Sequence, residues 1–193
     1  GYRNLCQLIS DAKLEPRPPG LAPRDQPPGV DPRDRKRPCF ATWAELAAHA
    51  EGLVALTGDE EGPLLRGWQR AGVAGATAAL QRLSKIFDPT HLYVELQRRQ
   101  IRGEETTLQL QTVLAAEHRL PLLATGGVRH ATRDGRDLAD VFTCLRHHTT
   151  LDAAGRLLAI NAGRHLRSGR IMHERFAAHP EAVTNTVRLA ERL

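Results

Sequence analysis

Three short apolar runs constrain this chain more than any other feature: Leu53-Val54-Ala55-Leu56, Leu92-Tyr93-Val94-Glu95-Leu96 and Pro121-Leu122-Leu123-Ala124-Thr125. Each has the length and apolar character of a buried strand. Helical patterns separate them. Pro63 suits the first turn of a helix at about 63–70, and another is expected at about 73–86. Glu104 to Glu117 reads as a helix whose inner face carries Leu110, Val113 and Leu114. After the third run, Asp134 is placed to cap a helix over about 136–147. A last helix from Pro180 spaces Val183, Val187 and Ala190 for burial. Alternating strands and helices define an α/β class with parallel strands and right-handed crossovers. Periodicity alone does not separate an open doubly wound sheet from a barrel. No Gly-x-Gly-x-x-Gly follows a strand, so a dinucleotide fold has no support.

The segment before Leu53 has a different character. Leu5, Leu8 and Ile9 have helical spacing within residues 1–12, with Tyr2 nearby as an anchor. Residues 13–38 then hold eight of the twelve Pro. Such a stretch sustains neither helix nor sheet and buries little, so it is expected to be a flexible insert within one domain. Order resumes at Thr42-Trp43-Ala44-Glu45, a capping box that should open a short helix running to about Glu51, with Gly52 as its stop.

Hydrophobic residues make up 41% of the chain but aromatics only 4%, so the core must be built from Leu, Ala and Val. Few rings are left for stacking nucleic-acid bases. The net charge of +5 suits a phosphate-bearing partner, yet +3 of it lies within residues 13–38, where seven basic side chains meet four acidic ones. Cys6, Cys39 and Cys144 match neither a disulfide framework nor a metal-binding pair. No segment has the roughly 18 apolar residues a membrane span requires. The chain begins Gly-Tyr-Arg with no apolar signal region, as if something upstream were missing, and a cytoplasmic location is the default expectation.

Five segments, in order, carry a resemblance. GYRNLCQLIS, AELAAHAEGLVALTG, HLYVELQRR, HRLPLLATGGVRH and RHLRSGRIMHERFAAHPEAVTNTVRLAERL resemble successive blocks of the polymerase and histidinol phosphatase (PHP) domain in the bacterial DNA polymerase III alpha subunit family. The HLRS block and the Leu-Thr-Gly-x-x-x-Gly-Pro turn are most similar to the error-prone, translesion branch. The resemblance implies a distorted seven-stranded, TIM-like barrel of parallel strands with outer helices. It also implies that the family's opening His-x-His motif lies before Gly1, so that residues 1–193 form an incomplete PHP domain. The polymerase centre itself would lie in the rest of the polymerase chain.

Metal-active members of that family are expected to hold divalent ions through His, Asp and Glu at strand C-termini, where bridging ions activate water against a phosphodiester. The resemblance marks the matching positions here. Where the family has His four residues after the strand Glu, this chain has Arg99; where it has Asp-x-His after Ala-Thr, this chain has Gly127-Val128-Arg129. Arg brings a fixed positive charge and no lone pair, and Gly brings no ligand. The site is therefore expected to be degenerate at Arg99, Gly127 and Arg129, with no catalytic residue and no bound metal. Glu95 is the retained carboxylate. It reads either as a remnant of the former site or as an ion-pair partner of Arg99 or Arg129, and the need to compensate a buried carboxylate favours the second. His130 follows Arg129 directly and should point to the opposite face.

Other side chains carry simpler readings. His147 and His148 sit at a predicted helix end, where cations are favoured. Asp59-Glu60-Glu61 reads as a solvated charge run, with a metal cluster as the alternative. Ser168 reads as a helix cap. Arg164, His165, Arg167 and Arg170 form a basic group: either a solvated face or a contact with nucleic acid or another polymerase domain.

Three functions compete. The first is a structural, catalytically silent PHP domain within an error-prone polymerase that carries out DNA synthesis in translesion repair. Its partners would be the rest of that chain and, indirectly, DNA, with no membrane. The second is a metal-dependent phosphoesterase or 3'-5' proofreading nuclease. No cofactor is expected unless this second reading holds, in which case the metal is Zn or Mn. The third is a small nucleic-acid-binding protein using the basic insert. Positions 99, 127 and 129 favour the first.

Overall fold

The structure, a computed structural model, describes residues 1–14 and 41–193. Almost all of the expected Pro-rich insert lies outside the described residues; its first two, Lys13 and Leu14, end the opening helix. Gly1–Ala55 forms one compact unit and Leu56–Leu193 another.

In the first unit, α1 (Tyr2–Leu14) and α2 (Trp43–Ala48) are the described elements. The capping box at α2 forms as expected: the Glu45 N–H donates to Thr42 Oγ1 at 3.3 Å, and the Thr42 N–H donates to Glu45 Oε2 at 2.6 Å. Asn4 Nδ2 donates to Glu51 O at 2.9 Å, tying the start of α1 to the segment after α2. The expected inner face of α1 is corrected. Leu8 and Ala12 are buried, while Tyr2, Leu5 and Ile9 are exposed.

A three-stranded sheet has the order β1-β2-β3, comprising β1 (Ala55–Leu56), β2 (Leu92–Gln97) and β3 (Leu122–Thr125), and all of it but Ala55 belongs to the second unit. β2 and β3 pair in parallel, with Glu95 opposite Leu123 and Gln97 opposite Thr125. The first strand is two residues long, half the expected length. Its pairing with β2 continues through the Thr57 N–H, which donates to Tyr93 O at 3.1 Å. A mixed α/β architecture with parallel strands is thus what the alternation predicted, and it is consistent with part of a PHP barrel wall. Every residue of β2 from Leu92 to Leu96 is buried, as a strand covered on both faces must be.

The connections are helical. α3 (Pro63–Ser84) is continuous except at Ala71 and Gly72, whose non-helical backbone marks the break between the two expected helices. The two halves fold back so closely that a Cβ at Gly67 would lie 2.4 Å from Gly75 O. α4 (Glu104–Glu117) packs on β2 and buries Leu108, Gln111, Leu114 and Ala115. Val113, expected inside, is exposed. α5 (Gly135–His147) follows β3, with Asp134 at its N-cap position but no side-chain cap bond. Two short helices, α6 (Leu151–Ala154) and α7 (Gly169–Arg175), and a 3-10 turn at Gly155–Leu157 lead to α8 (Pro180–Arg192).

α8 closes the outer edge of the sheet. Alternation in a parallel ladder turns the Leu122 and Ala124 carbonyls of β3 away from β2. Asn185 Nδ2 donates to Leu122 O at 2.8 Å, and Thr186 Oγ1 to Ala124 O at 2.7 Å. This explains why the face expected from Val183, Val187 and Ala190 is rotated. Ala182, Val183 and Leu189 are buried, whereas Val187 and Ala190 are exposed. Asn185 and Thr186 must face β3, so the buried apolar positions flank them.

Candidate functional site at the C-terminal rim of the sheet

Parallel strands deliver their C-terminal ends to one rim, the usual location for ligand chemistry in such folds. Asp59 and Glu60 follow β1, Arg99 follows β2, and Gly127 and Arg129 follow β3. These positions converge, and Arg164 lies among them. Arg164 is only 9% exposed. Its Nη2 lies 2.6 Å from Asp59 Oδ2, its Nη1 lies 3.3 Å from Glu60 Oε1, and its Nε donates to Gly127 O at 2.7 Å. Arg99 Nη1 approaches both Glu60 oxygens at 2.8 Å. Arg129 is more peripheral, 3.9 Å from Asp59 Oδ2.

Two expectations are corrected by this network. Asp59 and Glu60 are not a solvated charge run; only Glu61 is exposed. Arg164 belongs to the interior and not to a basic surface. Burial pushes the Asp59 carboxyl up, but the Arg164 hydrogen bond, the Glu61 N–H and the Arg164 and Arg129 charges outweigh it and hold it below the usual carboxylate range. For Glu60, burial again raises the pKa; a backbone hydrogen bond and the Arg99 guanidinium lower it further than burial and Asp59 raise it.

Glu95 does not form the ion pair that the sequence favours. Its Oε1 accepts hydrogen bonds from Gln97 Nε2 at 2.8 Å and from Thr125 Oγ1, and it makes no ion pair with Arg99 or Arg129. Its backbone is held as firmly. The Glu95 N–H donates to Thr57 Oγ1 at 3.0 Å, and Gln111 Nε2 donates to Glu95 O at 2.8 Å. Neutral donors therefore do the compensating that an arginine was expected to do. Gln97 was not anticipated, although strand alternation sets Glu95, Gln97 and Arg99 on one face. It also occupies the space above Gly127, where an added Cβ would lie 2.2 Å from Gln97 Oε1. Gly127 has a φ of +52°, a conformation most side chains avoid.

Asp59, Glu60, Glu95, Gln97, Arg99 and Gln111 help line a cavity of about 100 Å³. Among the described residues no three His, Cys, Asp or Glu side chains are grouped so as to hold a metal ion. The donor set does not fit a divalent cation. Two carboxylates already face guanidinium groups, and the third accepts two hydrogen bonds.

The remaining candidates lie elsewhere. His130 Nδ1 is 2.6 Å from Thr132 O, and its ring stacks on His165 at 6.3 Å. His147 ends α5 and His148 is its left-handed C-cap, both exposed, as a helix end favours. Ser168 caps α7, accepting from the Ile171 N–H at 3.5 Å. No helix among the described residues is long and apolar enough to cross a membrane.

Residues 1–99, just over half of the chain, match the model of the PHP domain, and the chain belongs to that family. An error-prone DNA polymerase of Symbiobacterium thermophilum is 36% identical over 194 aligned residues, which cover 100% of this chain and 17% of the relative. The DNA polymerase III subunit alpha of Pseudomonas aeruginosa is 31% identical over the same span, 15% of its length. An error-prone DNA polymerase of Brucella abortus is 49% identical over 72 residues, 37% of this chain and 7% of the relative. The chain thus spans 15–17% of the two relatives that it matches throughout.

Proposed function

We propose that this chain is the PHP portion of a bacterial error-prone DNA polymerase and serves there as a structural, catalytically silent domain. The single observation that supports this reading is the Arg164 guanidinium seated between Asp59 and Glu60. A phosphoesterase of this class needs carboxylates and imidazoles open to hard divalent ions. Here Arg99 and Arg164 neutralise the rim with covalently attached cations, and Arg99, Gly127 and Arg129 stand at the degenerate positions. Glu95 is the remnant, retained for its hydrogen bonds to Gln97 and Thr125. DNA synthesis, translesion repair and a cytoplasmic location would belong to the polymerase as a whole, with this domain's partners in the rest of that chain.

The test is direct. Purified chain is equilibrated with Mn or Zn, desalted, and assayed for bound metal and for hydrolysis of a phosphodiester. Neither stoichiometric metal nor turnover is expected. Stoichiometric metal with turnover that disappears in Glu95→Ala would replace this reading with the metal-dependent phosphoesterase.

A further inference from the structure

The sequence singles out a basic group near residue 164, and the rim absorbs only Arg164 of it. His165, Arg167 and Arg170 remain, and Arg175 and Arg133 lie on the neighbouring segments. Asn161 Nδ2 donates to Arg99 O at 2.9 Å, and the Gly163 N–H donates to Asn161 Oδ1 at 2.7 Å, so the 161–164 loop is fastened to the backbone beyond β2. Arg167 Nη2 donates to Gly163 O of that loop at 2.9 Å. Arg175, at the end of α7, reaches the same backbone: Nη1 donates to Arg98 O at 2.6 Å and Nη2 to Gln100 Oε1 at 3.1 Å. From the third side, the Arg129 and His130 N–H groups both point to Arg164 O, at 2.8 and 3.3 Å, and Arg133 lies three residues further on.

Arg167 and Arg175 are thereby fastened to neighbouring backbone, with Glu104 and Glu174 lining the same cavity as Arg175 but not ion-paired with it. Arg98, Arg99, Arg136 and Arg170 pair with Glu105, Glu60, Asp140 and Glu174, respectively. Among the described residues, Arg133, Arg167 and Arg175 make no ion pair. Partial burial, and then the charges of Arg175 and Arg133, hold the Arg167 pKa below its usual value. Folding has assembled like charges that repel one another, and an anion would relieve that repulsion.

We propose that Arg133, Arg167 and Arg175 form a binding site for the phosphates of a nucleic-acid backbone. Each guanidinium keeps N–H donors beyond those spent on carbonyls, and a planar fork matches phosphate oxygens in pairs. Phosphate contacts alone position a strand without reading its sequence. The site stands whether or not the rim takes metal, because none of its three residues belongs to the rim network.

The experiment measures binding of a fluorescein-labelled single-stranded oligothymidylate to the full 193-residue chain by anisotropy across a salt series. For Arg133→Gln/Arg167→Gln, affinity should fall about tenfold or more at low salt, and the slope of log K against log salt should shrink by about 1.4, roughly 0.7 per phosphate contact. Arg170→Gln, which removes a paired arginine, should leave both unchanged. Thermal midpoints of all variants check folding; if the double variant is destabilised, exposed Arg133→Gln alone should show half the slope change. An unchanged affinity and slope in the patch variants would overturn the proposal. So would a loss that follows substitution of Arg33, Arg35, Lys36 and Arg37 instead. Competition by inorganic pyrophosphate, sensitive to the same substitutions but with no oligonucleotide binding, would overturn the nucleic-acid assignment.

Discussion

Arg164 Nη2 lies 2.6 Å from Asp59 Oδ2, although 105 positions separate the two residues. The pair joins the loop after β1 to the segment before α7, and Arg164 adds Glu60 and the Gly127 carbonyl to the same guanidinium. One side chain thus fastens the loops that follow β1 and β3.

Arg164→Leu should therefore be among the costlier single substitutions in the chain. Removing one partner of a mostly buried pair leaves the other charge uncompensated, at a cost of about 3 kcal/mol. Arg164→Lys should recover less than half of this, because a point charge cannot serve three acceptors in a plane. Urea unfolding measures both; equal stability of wild type and Arg164→Leu would contradict the reading of the network.

Acid should weaken the fold through the same carboxylates. Asp59 and Glu60 have folded pKa values below their usual 3.8 and 4.5, so each binds protons less readily folded than unfolded. Their stabilisation is present above those values and is lost as pH falls through the lower folded pKa values. Asp88, lowered to about 2 by hydrogen bonds from Thr90 and His91, adds a further loss between 3.8 and about 2. The thermal midpoint should drop steeply below about pH 4. Asp59→Asn/Glu60→Gln should be less stable at neutral pH and show a shallower decline in acid.

Gly127→Ala should destabilise by about 1–2 kcal/mol, since a left-handed non-Gly residue is strained and the new Cβ would meet Gln97 Oε1. Trimming the obstruction in Gly127→Ala/Gln97→Ala should remove the steric part and leave the backbone part. If Gly127→Ala is as stable as wild type, the backbone there is not held at +52°.

Thr186→Val keeps the side-chain shape but removes the hydroxyl that lies 2.7 Å from Ala124 O and 3.0 Å from Ala182 O. A loss of about 1 kcal/mol is expected, because a strand-edge carbonyl is left without its donor. Native-state hydrogen exchange should show faster exchange of β3 amides, with α5 little affected. Uniform change across both elements would argue against a local edge seal.

What the sequence determined was local or repeated along the chain. The strand at 92–96, the helix from Glu104 to Glu117, the Thr42 capping box and the Pro180 start are set by residues within one or two turns of one another, where propensity and capping act directly. Five motifs in order were enough for the family. Tertiary structure decided the partners. Whether Glu95 meets an arginine or the neutral donors Gln97 and Thr125 depends on strand register. Whether Arg164 is solvent-facing or interior depends on a contact closed over 105 residues. The faces of α4 and α8 likewise turned on which neighbour needed hydrogen bonds. Side-chain periodicity tells a helix that it has an inner face, but only the packed β3 edge chose Asn185 and Thr186 to lie within it.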